Sequence, residues 1–157
     1  MVYLQGAARA EGPAGACIEL AVDGQIRLVL SNDILTEVID VLTRPEARAR
    51  FPVLTEDYVA DYLDRVRAAA EVFEGVPSVF VFERDPKDEK YLNLAVAADV
   101  QFLVSRDRDL LDLMGPGRQP GSAFRDVYAN LTILDPVAFL QTIRQKQAGD
   151  SPDRRPE

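Results

Sequence analysis

Three short apolar runs, each followed by helix punctuation, constrain what this chain can fold into. Ile26-Arg27-Leu28-Val29-Leu30, Gln101-Phe102-Leu103-Val104-Ser105 and Leu131-Thr132-Ile133-Leu134 are too short for helices and nearly continuous in apolar character. Such runs suit parallel strands buried on both faces. Residues 16–22 read as a helix closed by Asp23-Gly24. Ser31 or Asn32 can cap the next one, whose stripe is Ile34, Leu35, Val38, Ile39 and Leu42, ended by Arg44-Pro45. Thr55 with Glu56 and Asp57 starts the longest helix, with stripe Val59, Tyr62, Leu63, Val66, Ala69, Ala70 and Phe73, stopped by Gly75 and Pro77. Val79-Phe80-Val81-Phe82 reads as a short extended segment. A helix after Asp85-Pro86 turns Tyr91, Leu92, Ala95 and Val96 inward, and residues 110–114 form a short helix. Residues 115–121 read as a loop, and Asp135-Pro136 opens a final helix to about Gln145. The first nine residues look short of any complete element. Strands alternating with helices predict an α/β domain, three layers with a mostly parallel central sheet, over residues 1–146. Residues 147–157, charged and interrupted by Pro152 and Pro156, are expected to be a disordered tail.

Composition narrows the chemistry. A chain of 157 residues, 47% of them apolar, makes one ordinary domain that buries its own core without a disulfide or structural metal. It has no His, which excludes a Ser-His-Asp triad, a His general base and every His-containing zinc site. Cys17 is the sole cysteine, so no internal disulfide or CxxC site can form. With no apolar stretch of spanning length and no signal-like start, the expected location is cytoplasmic and no membrane partner is expected. The 26 Asp and Glu therefore become the first suspects for catalysis. At net charge −8 the chain does not grip nucleic acid by bulk electrostatics. A nucleic-acid substrate would be met at a local patch or through bound cations. Arg outnumbers Lys fifteen to three, and Arg forks suit phosphate.

In a parallel α/β sheet the site lies beyond the carboxyl ends of the strands. Glu37 borders the apolar stripe of the helix after the first run. Asp88 lies at a helix start, and Asp107 with Asp109 comes directly after the second run. Each has a plain alternative: a solvated helix glutamate for Glu37, a capping arrangement for Asp88, and a cap formed by Ser105 or Asp107. Carboxylates converging in one cleft repel each other unless a cation binds, and oxygen donors suit Mg²⁺ or Mn²⁺. Such a centre cleaves phosphodiesters without His.

These residues resemble the PIN domain family, specifically its bacterial, VapC-like branch of toxins from toxin–antitoxin systems. The matching stretches are Leu28-Val29-Leu30-Ser31 through Glu37-Val38, Arg84-Asp85-Pro86-Lys87-Asp88 with Tyr91-Leu92-Asn93-Leu94-Ala95, residues 102–111, and residues 133–140. The resemblance implies an α/β/α fold and Mg²⁺- or Mn²⁺-dependent endoribonuclease activity on RNA. Glu37, Asp88, Asp107 and Asp109 would hold the metal and carry catalysis. Ser105 would stand beside the metal site, while Arg106 and Arg108 would steer phosphate or instead form surface ion pairs with Asp107, Asp109 or Asp112. A cognate antitoxin and a homodimer are the implied partners. One departure stands out. The family opens with a strand ending in Asp-Thr-Asn-Val, and Val2-Tyr3-Leu4 resembles the residues just past that motif. Either the encoded protein starts further upstream, or this is an inactive copy that survives as a partner-binding module. A small α/β phosphatase is a further rival, but it wants an Asp nucleophile at the end of its first strand, where Ser31 stands.

Overall fold

A computed structural model describes residues 1–115 and 121–149. Helices α1 (Val2–Ala8) and α2 (Pro13–Val22) precede strand β1 (Leu28–Ser31), which leads into α3 (Asn32–Thr43) and α4 (Pro45–Arg50). Next come α5 (Glu56–Ala69), β2 (Ala70–Phe73), a 3-10 turn (Pro86–Asp88), α6 (Glu89–Ala97) and β3 (Phe102–Val104). The chain continues through α7 (Arg108–Leu111), α8 (Gly121–Val127), β4 (Thr132–Leu134) and α9 (Pro136–Gly149). Mixed helices and parallel strands make it an α/β domain.

The strands form two parallel pairs rather than one sheet: β1 with β2, and β3 with β4. β2 corrects the reading of one long helix through Phe73. α5 ends at Ala69, and Ala70 to Phe73 lie in register with Leu28 to Ser31. Ala70 and Phe73 fall on the helical stripe, but the ladder offered by β1 outweighs that local preference. The first nine residues also depart from expectation, since α1 occupies most of them. Its partner is α2. Gly15 has no side chain because one would sit 2.0 Å from the Ala10 carbonyl oxygen, so the turn between α1 and α2 closes onto α2 itself.

Ser31 caps α3, its Oγ accepting from the Ile34 amide at 3.3 Å. Thr55 does the same for α5 with the Tyr58 amide, and Asp135 for α9 with the Ala138 amide. Four of the five expected stripe positions of α3 are buried; Ile39 is exposed. Three core clusters result among the described residues, the smallest formed by Cys17, Leu134 and Phe139. Leu30, Ile34, Val38, Leu42, Leu54, Val59 and Val66 join β1 to α3 and α5. Phe82, Leu92, Leu110, Leu113, Phe124 and Ile133 fill a second core around α6 and β4.

Residues 79–82 make no ladder with any of the described residues. Phe82 is buried while Val79 and Val81 are exposed, and side chains replace the neighbouring strand. Asn93 Oδ1 accepts from the amides of Val79 (2.9 Å) and Phe80 (2.8 Å), and Glu89 from that of Phe82 (2.9 Å). α4 and α8 have no counterpart in the sequence reading. α9 runs to Gly149, into the stretch expected to be disordered, and residues 150–157 lie outside the described residues. So do residues 116–120 of the expected loop.

Candidate metal-binding site

β1 and β3 each deliver polar residues at the carboxyl end. After β1, α3 carries Glu37 at the border of its buried face, and the side chain is one-third exposed. The Tyr91 hydroxyl of α6 donates to Glu37 Oε2 at 3.0 Å, and the Lys90 ammonium forms an ion pair with the same oxygen. Burial first, then the Glu37 charge, pushes the Tyr91 hydroxyl far up, so it remains a donor at any working pH.

Asp88 lies where the 3-10 turn meets α6. Asp85, not Asp88, does the capping: its carboxylate accepts from the Lys87 amide at 3.0 Å. Asp88 caps nothing through its side chain, and its Oδ2 is buried without a hydrogen-bond partner among the described residues. Its carboxyl is pushed up to about 6, by burial first and then by the charges of Asp107, Asp85 and Glu37, with Lys90 opposing. α3, α6 and the loop after β3 thus bring Glu37, Asp88 and Asp107 within electrostatic reach of one another.

Asp107 also serves as the N-cap of α7, accepting from the Asp109 amide at 2.8 Å, while Ser105 Oγ accepts from the Asp107 amide at 3.0 Å. The capping alternative therefore holds for Asp107 without removing it from the acidic cluster. Asp109 turns elsewhere. It pairs with Arg84 at 2.6 Å, and Arg84 also reaches Asp112 at 3.0 Å. The surface ion pairs considered for Arg106 and Arg108 are thus made by Arg84. Arg106 instead donates to Gln5 on α1, and Arg108 is exposed.

The donor chemistry suits a hard cation: clustered carboxylates, one with a buried oxygen that nothing among the described residues satisfies. The coordination shell is not assembled. Among the described residues no three acidic side chains converge on one point as ligands, since Glu37 leans on Lys90 and Asp109 on Arg84. Lys90, Tyr91 and Arg84 are the site residues that sequence reasoning missed. Tyr91 read simply as core, and nothing local in Asp88-Glu89-Lys90 marked Lys90 as a partner of Glu37.

A family model described as PIN domain matches residues 1–109, which include Glu37, Asp88, Asp107 and Asp109. No curated protein and no solved structure matches the chain.

Proposed function

The chain belongs to the PIN domain family, whose fold is typically that of a nuclease, and on that premise we propose that it is a Mg²⁺- or Mn²⁺-dependent endoribonuclease. The observation that carries this reading is Asp88: a half-buried carboxyl, crowded by Asp107 and Glu37, with an oxygen that no protein group satisfies among the described residues. Glu37, Asp88 and Asp107 would hold the cation, and Asp109 would join once Arg84 releases it. Bound there, a divalent cation supplies polarisation of a phosphoryl oxygen and a water acidic enough to lose its proton near neutrality.

The chain's own groups have distinct tasks in this scheme. Asp88 stays largely ionised above its raised titration point and supplies charge where burial strengthens it. Tyr91 fixes the orientation of Glu37 through its hydroxyl. Lys90 balances Glu37 in the cation-free protein and has to yield when a cation enters. Ser105 and Arg106 on the loop after β3, with Arg108 at the start of α7, would meet a phosphate backbone approaching an otherwise negative cleft. The wider reading is a cytoplasmic toxin held by a cognate antitoxin and able to pair as a homodimer.

The test uses end-labelled single-stranded RNA with Mn²⁺ or with EDTA. It compares the parent chain, Asp107→Asn, and a form carrying a strand that ends in Asp-Thr-Asn ahead of Met1. Cleavage that needs the cation and is lost in Asp107→Asn supports the nuclease reading. A folded, Mn²⁺-binding protein that leaves RNA intact in every form would replace it with the partner-binding module.

A further inference from the structure

Arg84 joins the turn that carries Asp88 to the segment after β3. It directly precedes Asp85-Pro86-Lys87-Asp88, and its half-exposed side chain crosses to Asp109 of α7 and to Asp112 just beyond that helix. The distances are 2.6 Å to Asp109 Oδ1 and 3.0 Å to Asp112 Oδ2, and Nη2 makes both contacts. Nε and Nη1 have no partner among the described residues. One cation thus faces two carboxylates through a single nitrogen, with most of its donors unused. A guanidinium grips a carboxylate or phosphate best through two nitrogens, Nε with Nη2 or Nη1 with Nη2. Neither Asp109 nor Asp112 is held that way. Any bidentate ligand of Arg84 has to share Nη2, and so competes with the carboxylates already there.

Asp109 is the carboxylate with somewhere else to go. Its amide donates to Asp107 at 2.8 Å, so the two acids share the first turn of α7, and Asp107 lies within electrostatic reach of Asp88. Asp112 is more exposed and sits in the 3-10 turn after α7. Exposed ion pairs of this kind hold weakly, so ligand binding is able to exchange them. The exchange is balanced only when an anion and a cation arrive together. A phosphodiester alone, taking Arg84, turns Asp109 loose beside Asp107. A cation alone meets Asp109 already neutralised and adds its charge beside the guanidinium. Together, the phosphate satisfies Arg84 while the cation satisfies Asp109.

We propose that Arg84 is a substrate-phosphate ligand as well as the keeper of Asp109: a phosphodiester takes its guanidinium, Asp109 turns to the cation, and the two ligands bind cooperatively. The inference rests on the nuclease reading for the cation site, and it adds a coupling between substrate and cation that the reading does not contain. By linkage the coupling is reciprocal, each ligand tightening the other by the same factor.

The test measures the Mn²⁺ affinity of the full chain, from the paramagnetic signal of the free ion, with and without a short single-stranded oligothymidylate. The same oligomer with neutral methylphosphonate linkages is the control, and Mn²⁺ binding to each oligomer alone is subtracted. The phosphodiester oligomer should tighten Mn²⁺ binding to the parent about fivefold or more, and the neutral one should not. Arg84→Gln should bind Mn²⁺ more tightly than the parent without oligomer, and should lose the coupling. Lys87→Gln removes an equal charge from an exposed residue of the neighbouring turn and should keep it. Loss of coupling in both variants would reduce Arg84 to bulk charge and overturn the proposal. Weaker Mn²⁺ binding in Arg84→Gln, the mark of a purely structural tie, would overturn it too. Mn²⁺ bound equally well with and without the phosphodiester would overturn the role of Arg84 alone, whereas no Mn²⁺ bound in any form would remove the cation site and this inference with it. Should Arg84→Gln not fold by circular dichroism, Arg84→Lys keeps the charge without the fork, and undiminished coupling there rejects the idea.

Discussion

Replacing Asp88 by Asn should stabilise this protein at neutral and alkaline pH, although it removes a charged residue from a helix start. The carboxyl is displaced from an ordinary 3.8 to about 6, with burial the largest cause and the Asp107, Asp85 and Glu37 charges adding to it. Undamped, that displacement corresponds to about 3 kcal/mol. Solvent screening of a half-exposed side chain reduces it to about 1–2 kcal/mol. The folded state keeps its proton to higher pH than the unfolded state does. Stability therefore falls as pH rises from about 4 to about 6, and is level above that. Asn cannot ionise, so the variant should lose this decline. Urea denaturation followed by circular dichroism, in EDTA and at several pH values from about 4 to about 8, would measure it. The variant should match the parent near pH 4 and exceed it by about 1–2 kcal/mol near pH 8. Parallel profiles for the two proteins, or a variant weaker than the parent at the alkaline end, would refute the crowding argument.

Gly15→Ala should destabilise by about 1–3 kcal/mol, because its Cβ meets the Ala10 main chain and the turn between α1 and α2 has to open; an unchanged melting temperature would contradict the close approach. Asn93→Ala leaves the Val79 and Phe80 amides without their acceptor, at a cost of about 1–3 kcal/mol. Hydrogen exchange should accelerate at residues 79 and 80 first, and uniform acceleration across the chain would argue against a local clamp.

How far these features were legible in the sequence depends on how local their causes are. The strands around Leu28 to Leu30, Phe102 to Val104 and Ile133 were readable because two-sided burial writes a continuous apolar run. The caps at Ser31, Thr55 and Asp135 were readable because a cap is satisfied by a neighbour two or three residues away. β2 was not, since Ala70 to Phe73 become a strand only against the edge of β1. α1 was missed for a similar reason. Its small residues Gly6 and Ala7 are buried through packing against α2 and α5, which no local pattern announces. At the site, the acidic residues were visible as types, and the placement of Asp109 was not. Whether a carboxylate faces the cluster or an arginine depends on where Arg84 lands from a distant loop.

The most direct test of the central claim is a Mn²⁺ titration of the full chain slightly above neutral pH, read by thermal melting and by the paramagnetic signal of the free ion. It should compare the parent with Asp107→Asn, which retains a good N-cap for α7. If Glu37, Asp88 and Asp107 form a cation site, Mn²⁺ at about a hundred times its dissociation constant should stabilise the parent by about 2.7 kcal/mol, a rise of several degrees in Tm. In EDTA Asp107→Asn should melt at or slightly above the parent, having lost a charge that crowds Asp88, and it should gain far less from the ion. Identical melting with and without Mn²⁺, or an equal gain in both proteins, would contradict the account.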